Sequence, residues 1–284
     1  MSAPGPLPDR YALIGHPVSH SWSPFIQTLF ARATLQNLQY RLIDVPPERF
    51  RAEALQFFVD GGKGLNVTLP HKLAAAELVN ELTPRARQAR AVNTLSSLPS
   101  GELLGDNTDG VGLLADLENN LGLQLAGRRV LILGAGGATR GVLGPVLARR
   151  PARLAIANRR PERAAVLAQD FATVGPVVAT GFASVEPAAF DLVINATSAS
   201  LQGESPPVPP VVIGAATVCY DMAYAKGDTP FMRWARGHGG TAVYAGWGML
   251  VEQAAAAFEL WRGIQPPTRQ VLQLLQARAT DNRP

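Results

Sequence analysis

A cluster of small residues in the middle of the chain has the composition of a phosphate-binding turn. An apolar run at residues 130–133 stops at this cluster, and a helical pattern follows it. The cluster consists of Gly134, Ala135, Gly136, Gly137 and Ala138. Glycines let the backbone approach a pyrophosphate closely, and a helix N-terminus supplies N–H donors and a positive dipole. The spacing is G-x-G-G-x-x rather than G-x-G-x-x-G, so the motif alone is a weak indication of a dinucleotide site.

Basic residues at the end of the next predicted strand bear on the choice of nucleotide. The strand ends in Asn158, Arg159 and Arg160, with Arg163 one turn further on. No acidic residue lies between Gly134 and Arg160. An acidic residue about 20 positions after the glycine turn selects the free 2′-hydroxyl of NAD, whereas arginine accommodates the 2′-phosphate of NADP. The pattern therefore predicts NADP, the alternative being a basic surface turn.

Arginine supplies nearly all the positive charge of the chain. Of the 26 lysine and arginine residues, only Lys63, Lys72 and Lys226 are lysines. The pKa of a lysine can shift into a useful range, whereas arginine stays protonated. Each lysine is therefore a candidate for a role that arginine cannot fill, with chance as the alternative.

Six arginines are concentrated in a short stretch of the second half. They are Arg149, Arg150, Arg153, Arg159, Arg160 and Arg163, opposed only by Glu162. Solvated helix ends would explain the first three equally well. A nucleic-acid partner is disfavoured because no aromatic residues are interleaved with the basic ones. A small anionic ligand fits a compact cluster better.

Composition limits the class of protein. The chain has 284 residues, 47% hydrophobic and 17% charged, enough for one large or two modest globular domains. Cys219 is the only cysteine, which excludes an intrachain disulfide and favours a reducing compartment. The N-terminal residues lack a signal-peptide pattern and no apolar run of about 18 residues occurs, so we expect a cytoplasmic protein without a membrane span. No His/Cys set has metal-ligand spacing, so no metal site is predicted.

The chain before the glycine cluster predicts an α/β domain. Three apolar runs predict strands, at residues 11–15, 40–45 and 64–68. A helix is expected to begin at Ser23, with Ser23 as its cap and Pro24 in the first helical position. A second helix is expected over residues 47–59. Asp109 begins a further predicted helix, which runs to Leu121 and links this domain to the next.

From residue 128 to residue 245, strand and helix patterns alternate. Strands are predicted near 130–133, 153–157, 176–179, 191–195, 217–221 and 241–243. This alternation implies a mostly parallel sheet with helices on both faces. Helical patterns at about 247–262 and 267–278 close the chain. We therefore predict an α/β fold of two domains. Residues 1–109, completed by the C-terminal helices in 246–284, form an α/β substrate domain, and residues 110–245 form a Rossmann-like doubly wound NADP domain.

Polar residues suited to a hydroxylated ligand are concentrated in the N-terminal third. Ser21 and Ser23 lie in a loop that opens a helix, although capping alone would explain Ser23. Asn66, Thr68 and Lys72 follow the end of a predicted strand, and Asn93 begins another. Together they suit a ligand with several hydroxyls and one carboxylate.

Seven blocks of the sequence carry a resemblance to one enzyme family. They are GHPVSHSWSP at 15–24, GGKGLNVTLPHK at 61–72, AVNT at 91–94, LGDNTDG at 104–110, NATS at 195–198, YDMAY at 220–224 and GMLVEQA at 248–254. In this order and over about residues 10–275, the chain resembles the shikimate dehydrogenases. The resemblance implies NADP-dependent, reversible reduction of 3-dehydroshikimate to shikimate, a small-molecule substrate, and a monomer or homodimer.

The resemblance also implies roles for individual residues. Lys72 and Asp109 would form the catalytic pair, and Ser21 and Ser23 would hold the substrate carboxylate. The residues implied for the ring hydroxyls are Asn66, Thr68, Asn93 and Gln253, with Tyr224 nearby. Residues 134–138 and 158–163 would hold NADP, and Met222 and Gly246 would border the nicotinamide.

Four positions depart from the family pattern. Arg160 stands where threonine is usual, Ala245 replaces a carboxylate, and Trp247 replaces a smaller residue near the nicotinamide. His71 replaces an aromatic residue beside Lys72, and we expect its side chain to point away from that lysine. Three other functions stay open: a broader quinate/shikimate dehydrogenase, a non-catalytic ligand sensor on the same fold, and a similar enzyme that acts on a related hydroxy-acid ring.

Overall fold

The computed structural model describes residues 6–280 and divides into two compact units. The first unit runs to Thr108 and takes in Val251–Val271, and the second is Asp109–Leu250 with the residues from Leu272 on. Residues 1–5, on which the signal-peptide prediction depends, lie outside the described residues. No helix within the described range is long and apolar enough to cross a membrane.

The first unit is built on a mixed sheet. Its strands are β1 Asp9–Gly15, β2 Leu38–Asp44, β3 Gly64–Val67, β4 Glu81–Leu82, β5 Thr94–Ser97 and β6 Leu103–Asp106. Its first four helices are α1 Ser23–Ala33, α2 Phe50–Val59, α3 Lys72–Leu78 and α4 Pro84–Ala89. Among the described residues the sheet has six strands in the order β2-β1-β3-β5-β6-β4, and β5 runs antiparallel to β3 and β6.

Apolar patterning explains these elements. The residues of β1 from Tyr11 to Gly15 are buried on both faces, as in the centre of a parallel sheet. In α2, Phe50, Ala54 and Phe57 recur at helical spacing and pack into the core of this unit. The strands predicted at 11–15, 40–45 and 64–68 are confirmed with small shifts in their ends.

The start of α1 differs from the prediction. Trp22, not Ser23, is the N-cap residue, and no side chain caps the helix from that position. Ser21 takes part instead, because its Oγ accepts the N–H of Ser23 at 3.2 Å. The helix itself begins at Ser23, and its buried face carries Ile26 and Phe30.

The second unit contains a doubly wound sheet. Its strands are β7 Arg129–Leu133, β8 Arg153–Asn158, β9 Val178–Gly181, β10 Leu192–Asn195, β11 Val218–Asp221 and β12 Ala242–Ala245. Its helices are α5 Asp109–Ala115, α6 Gly137–Ala148, α7 Pro161–Asp170 and α8 Pro230–Gly237. Two helices complete the chain, α9 Trp247–Arg262 and α10 Thr268–Thr280. All described pairs in this sheet are parallel, in the order β9-β8-β7-β10-β11-β12, so the predicted α/β fold with a Rossmann-like sheet is confirmed.

The helix predicted from Asp109 to Leu121 is not a regular α-helix throughout. α5 ends at Ala115, and Asp116–Asn120 continues as a π-helix, in which Leu121 N–H donates to Asp116 O. Asp116 is buried, and its carboxylate accepts the hydroxyl of Tyr220 at 2.6 Å and the N–H of Met249 at 3.1 Å.

Candidate functional site

In the first unit, the topology brings the predicted polar residues to one edge of the sheet. The parallel strands β1 and β3 both end at this edge, which we call the carboxyl edge. The antiparallel strand β5 begins there, with Thr94 opposite Asn66. Ser21 follows β1, Lys72 follows β3, and Asn93 precedes β5, so segments far apart in sequence meet.

Asn66 is held in one orientation at this edge. Asn66 is 5% exposed. Its Oδ1 accepts a hydrogen bond from the Tyr40 hydroxyl at 2.8 Å, and its Nδ2 donates to Thr94 Oγ1 at 3.1 Å. Thr68 comes two residues later, and its N–H donates to Ile14 O at 3.0 Å. The backbone after β3 is therefore fixed to the neighbouring strand β1.

Asn93 connects this edge to α9. Its Oδ1 accepts the N–H of Thr108 at 2.8 Å and the hydroxyl of Thr94 at 2.9 Å. Its Nδ2 donates to Gln253 Oε1 at 3.3 Å. Gln253 lies on α9, which Gln27 anchors by donating to Ala254 O at 3.2 Å. Two predicted substrate residues, Asn93 and Gln253, are thus in direct contact.

Ser21 and Ser23 form a hydroxyl pair at the start of α1. Their Oγ atoms are 3.1 Å apart, and the N–H of Ser21 donates to Val18 O at 2.9 Å. Val18 in turn is held by Asp44, whose Oδ2 accepts the Val18 N–H at 3.1 Å. The nearby His16 side chain lowers the pKa of Asp44, so this carboxylate stays charged.

Lys72 is the first residue of α3 and is partly buried. Its carbonyl accepts the N–H of Val92 at 2.8 Å, which ties the helix to the segment before β5. The neighbouring His71 points into the core, as expected. It is 2% exposed, its ring stacks on Phe50 with centroids 4.5 Å apart, and its Nε2 donates to Val45 O at 2.7 Å. Burial lowers the pKa of His71, so its ring stays neutral.

Sequence reasoning missed the buried carboxylate that supports the end of β6. Burial by itself would raise the pKa of Asp106, but Arg85 and Thr83 outweigh it and the pKa lies below its usual range. Arg85 Nε donates to Oδ1 at 2.6 Å, and the Thr83 hydroxyl does so at 2.6 Å. Asp106 also accepts the N–H of Asn107, so it shapes the turn that leads to Asp109. The sequence signal was the run of polar residues at 106–109.

In the second unit, the glycine cluster forms a tight turn between β7 and α6. Gly134 has φ +106°, and a Cβ on it would lie 3.1 Å from Ala196 O after β10. Gly136 is the N-cap of α6, no side chain caps this helix, and a Cβ on Gly136 would meet no described atom within 4 Å. The first turn of α6 thus has no side-chain cap at its N-terminus and open space beside Gly136, an arrangement that suits a pyrophosphate.

The basic residues after β8 are exposed and unpaired. Arg159, Arg160 and Arg163 form no ion pair with any carboxylate in the described part of the chain. Asn158 shapes the turn by donating to Arg160 O at 3.0 Å. The guanidinium groups are therefore available to a phosphate without breaking an ion pair.

Two other arginines of the cluster have structural partners. Arg149 Nε donates to Glu118 at 2.6 Å, and Arg153 pairs with Glu186. The arginine-rich stretch thus has two parts, of which the later one is free for an anion.

The ends of β11 and β12 bring the predicted nicotinamide residues together. A Cβ on Gly246 would lie 2.5 Å from Met222 O, so only glycine permits this approach. The ring of Tyr224 packs against that of Trp247, with centroids 4.7 Å apart. Trp247 thus has an aromatic packing partner, and Ala245 packs against a hydrophobic core cluster of the second unit, which suits an apolar side chain there.

The buried carboxylate of Asp221 holds the backbone around Met222 in place. Asp221, at the end of β11, accepts the hydroxyls of Ser200 at 2.7 Å and Thr229 at 2.6 Å, and the N–H of Ala223 at 3.0 Å. Burial raises the pKa of Asp221 although these donors oppose the shift. The network fixes the backbone on both sides of Met222.

The predicted catalytic residues belong to different units, Lys72 to the first and Asp109 to the second. Asp109 is 4% exposed and is the first residue of α5. Within the described residues, no group of three or more His, Cys, Asp or Glu side chains could hold a metal ion.

Comparisons with known proteins cover most of the chain. Residues 13–95 match a family model described as the shikimate dehydrogenase substrate binding domain, residues 116–202 match shikimate / quinate 5-dehydrogenase, and residues 246–276 match the shikimate 5′-dehydrogenase C-terminal domain. A curated relative from Methylococcus capsulatus, named shikimate dehydrogenase (NADP(+)), is 54% identical over 270 residues, which is 95% of this chain and 97% of the relative.

Two solved structures resemble this chain over nearly all of its length. An Ael1 enzyme from Pseudomonas putida is 48% identical with a TM-score of 0.87, covering 94% of this chain and 98% of that one. The shikimate 5-dehydrogenase from Thermus thermophilus, solved with NADP(H) and shikimate, is 32% identical with a TM-score of 0.83, covering 95% and 99%.

Proposed function

This chain belongs to the shikimate dehydrogenase family, and on that premise we propose that it catalyses the reversible, NADP-dependent reduction of 3-dehydroshikimate to shikimate. The observation that carries the proposal is the 54% identity to an NADP-dependent relative over 95% of the chain. The chain is accordingly an oxidoreductase that uses NADP. The glycine turn and the unpaired arginines after β8 fit that cofactor.

In this proposal, Lys72 and Asp109 are the catalytic pair. When bound, NADPH supplies the hydride. Reduction of a ketone leaves negative charge on its oxygen, and the ammonium of Lys72 stabilises that charge and can donate the proton. Asp109 orients the ammonium. The contact between Lys72 O and Val92 N supports the proposal, because it fixes the backbone from which the side chain extends.

The carboxyl edge supplies the groups that would bind the substrate. The hydroxyls of Ser21 and Ser23 would hold the carboxylate, since both are donors at a helix start. Asn66, Thr68 and Asn93 would bind ring hydroxyls, together with Gln253 and Tyr224. The hydrogen bonds that orient Asn66 and Asn93 support these roles, because preoriented amides bind without further ordering.

For the cofactor, the turn of residues 134–138 would cradle the pyrophosphate. Asn158, Arg159, Arg160 and Arg163 would bind the adenosine 2′-phosphate. Met222 and Gly246 would border the nicotinamide. The substrate domain would comprise residues 1–109 with 246–284, and the NADP domain residues 110–245. We also propose a cytoplasmic location, which the single cysteine supports, and a monomer or homodimer.

The proposal is tested by following reduced nicotinamide absorbance with shikimate and either NADP or NAD. We expect turnover that is strong with NADP and weak with NAD. Lys72→Ala should lower kcat by about 10² to 10⁴ with little change in the KM for shikimate, because the lysine acts mainly in the transition state.

The same assay separates the alternatives. A raised KM at unchanged kcat in Lys72→Ala would show that Lys72 only binds substrate. Turnover of quinate comparable to that of shikimate would favour the broader dehydrogenase. Binding of NADP without turnover of either substrate would contradict the enzyme proposal and favour a sensor.

A further inference from the structure

A cavity of about 260 Å³ lies at the opposite edge of the first sheet, where β1 begins and β5 ends. We call this the amino edge. Asp9 and Tyr11 of β1, Lys63 just before β3, and Ser96 of β5 line it. β1 spans seven residues, so about 20 Å separates this edge from the carboxyl edge. The cavity is therefore not part of the proposed substrate site.

Two buried hydroxyls in the cavity lack acceptors. Ser96 is 8% exposed, and no described donor or acceptor lies within hydrogen-bond distance of its Oγ. Tyr11 is 3% exposed, and its hydroxyl accepts an N–H from Arg262 at 3.2 Å. Nothing in the described part of the chain accepts the proton of that hydroxyl. Buried polar groups are rarely left unpaired, so both protons call for an acceptor from outside the protein.

The charge of the cavity is positive. Asp9 is neutralised by Arg262, which also donates to Gln36 Oε1 from Nε at 2.8 Å. Lys63 makes no ion pair with any described carboxylate, and its side chain is free to reach into the cavity mouth. An ammonium and two hydroxyl donors select a ligand group that only accepts hydrogen bonds and carries negative charge.

The remaining wall is flat and apolar. The indole of Trp261 packs on the ring of Tyr11, with centroids 4.7 Å apart, and its Nε1 donates to Leu95 O at 3.0 Å. A Cβ on Gly64 would lie 2.4 Å from Trp261 Nε1, so glycine there makes room for the indole. Three leucines and Ser97 complete the lining. A rigid aromatic wall with leucines suits a small ring.

We propose that the amino-edge cavity binds a small ring-bearing carboxylate. Its carboxylate accepts from Lys63, Ser96 and Tyr11, and its ring lies against Trp261. The cavity is smaller than the range of about 300–1,000 Å³ typical of drug-sized ligands, so the ligand is correspondingly small. This site is independent of the proposed enzyme activity, because it shares no residue with it.

Calorimetric titration of the full chain with benzoate tests the proposal. We expect saturable binding with a Kd of about 1 mM or tighter. The neutral isostere benzamide should bind at least about tenfold more weakly, because it lacks the charge that Lys63 selects. Lys63→Met should weaken benzoate binding by about tenfold or more, and Lys63→Arg should retain most of it. Lys226→Met is the matched control and should bind benzoate as the unsubstituted chain does, while Lys72→Met reports on any binding at the carboxyl edge.

Ser96→Ala is a second test of the proposed site, with a smaller change to the cavity. It removes a hydroxyl without a protein partner, so folding should be unimpaired while benzoate binding weakens. Ser205→Ala is its control, because Ser205 Oγ is also buried without a partner but does not line this cavity. Absence of saturable binding would overturn the proposal. So would equal affinity for benzamide, or loss of benzoate binding in Lys72→Met but not in Lys63→Met, which would place the ligand at the carboxyl edge.

Discussion

Exposed arginines in this chain differ in what they already bind. A guanidinium that pairs with a carboxylate must give up that pair before it can hold a phosphate. Arg149 is in that position, because Glu118 engages its Nε and Nη2 at 2.6 Å and 3.1 Å. Arg159 and Arg160 have no such ion pair among the described residues. They follow the end of β8, at the edge where a parallel sheet binds nucleotides.

Arg159→Ala should therefore weaken the binding of NADP much more than the binding of NAD. A charged hydrogen bond contributes about 1.5–3 kcal/mol, so we expect the KM for NADP to rise about 10- to 100-fold. Steady-state kinetics with both nucleotides measure the effect. Arg149→Ala is the matched control and should leave both KM values unchanged. Equal losses for NADP and NAD in Arg159→Ala would show that Arg159 does not contact the 2′-phosphate.

His71 gives stability a dependence on pH. Burial lowers its pKa in the folded state, so the unfolded chain binds a proton more readily once the pH falls below about 6.5. The contribution of neutral His71 is present above that pH and is lost as the pH falls toward the folded-state pKa. The Tm should therefore drop between pH 7 and pH 5 in the wild type and drop less in His71→Phe. Parallel Tm profiles for the two proteins would rule this out.

Among the elements, the β5–β6 hairpin depends on α4. Thr83 caps α4 by accepting the N–H of Ala86 at 3.3 Å, and the same hydroxyl donates to Asp106. Arg85, the second residue of the helix, completes the group of donors around that buried carboxylate. A short helix that the sequence pattern did not indicate thus fixes the strand end that precedes Asp109.

Arg85→Met should destabilise the protein at neutral pH. It leaves the charge of Asp106 buried with fewer donors, and we expect a loss of about 2 kcal/mol, since Arg85 is partly exposed to solvent. The pKa of Asp106 is lowered in the fold, so its stabilising effect is lost as the pH falls below about 4. The difference between variant and wild type should shrink there.

Urea unfolding at pH 7 and pH 3.5 measures this difference. Arg87→Met in the same helix is the control, because within the described residues the Arg87 side chain donates to Leu82 O and to no carboxylate. If Arg85→Met lowers the free energy of unfolding by the same amount at both pH values, lost packing and not lost charge is responsible.

At the scale of the whole molecule, each unit has its own core. Tyr220 and Phe171 are fully buried in the second unit, and Phe30 and Phe50 in the first. The single cysteine, Cys219, lies on β11 in the core of the second unit and is 0% exposed. Its reactivity therefore depends on whether that core is folded. Burial raises the pKa of Cys219 to about 12.

Cys219 should accordingly resist thiol reagents in the native protein and react only on unfolding. The thiolate is the reacting form, and an unfolded cysteine has a pKa of about 8.5. Labelling with a chromogenic disulfide at pH 8 should be negligible in buffer and complete in urea, with a midpoint that reports unfolding of the second unit. Stoichiometric labelling of the native protein would contradict the burial of this side chain.

Local sequence determined most of the elements, because apolar periodicity and glycine act over a few residues. Residues 130–133 and 153–157 read as buried strands and are β7 and β8 within one residue. The glycine cluster indicated the turn for the same reason, since a φ of +106° at Gly134 excludes most other residues. The family resemblance rested on ordered blocks along the chain, which needed no coordinates.

The tertiary structure decided what depends on distant partners. Asn93 meets Gln253 across 160 positions, and Tyr220 meets Asp116 across 104. No local pattern encodes these pairs, and none predicted the π-helix that begins at Asp116. The amino-edge cavity also depends on distant segments, because Ser96 of β5 lines it together with Tyr11 of β1 and Trp261 of α9. Burial and partner geometry arise only when separate segments pack together, and they decide which polar groups are left to bind a ligand.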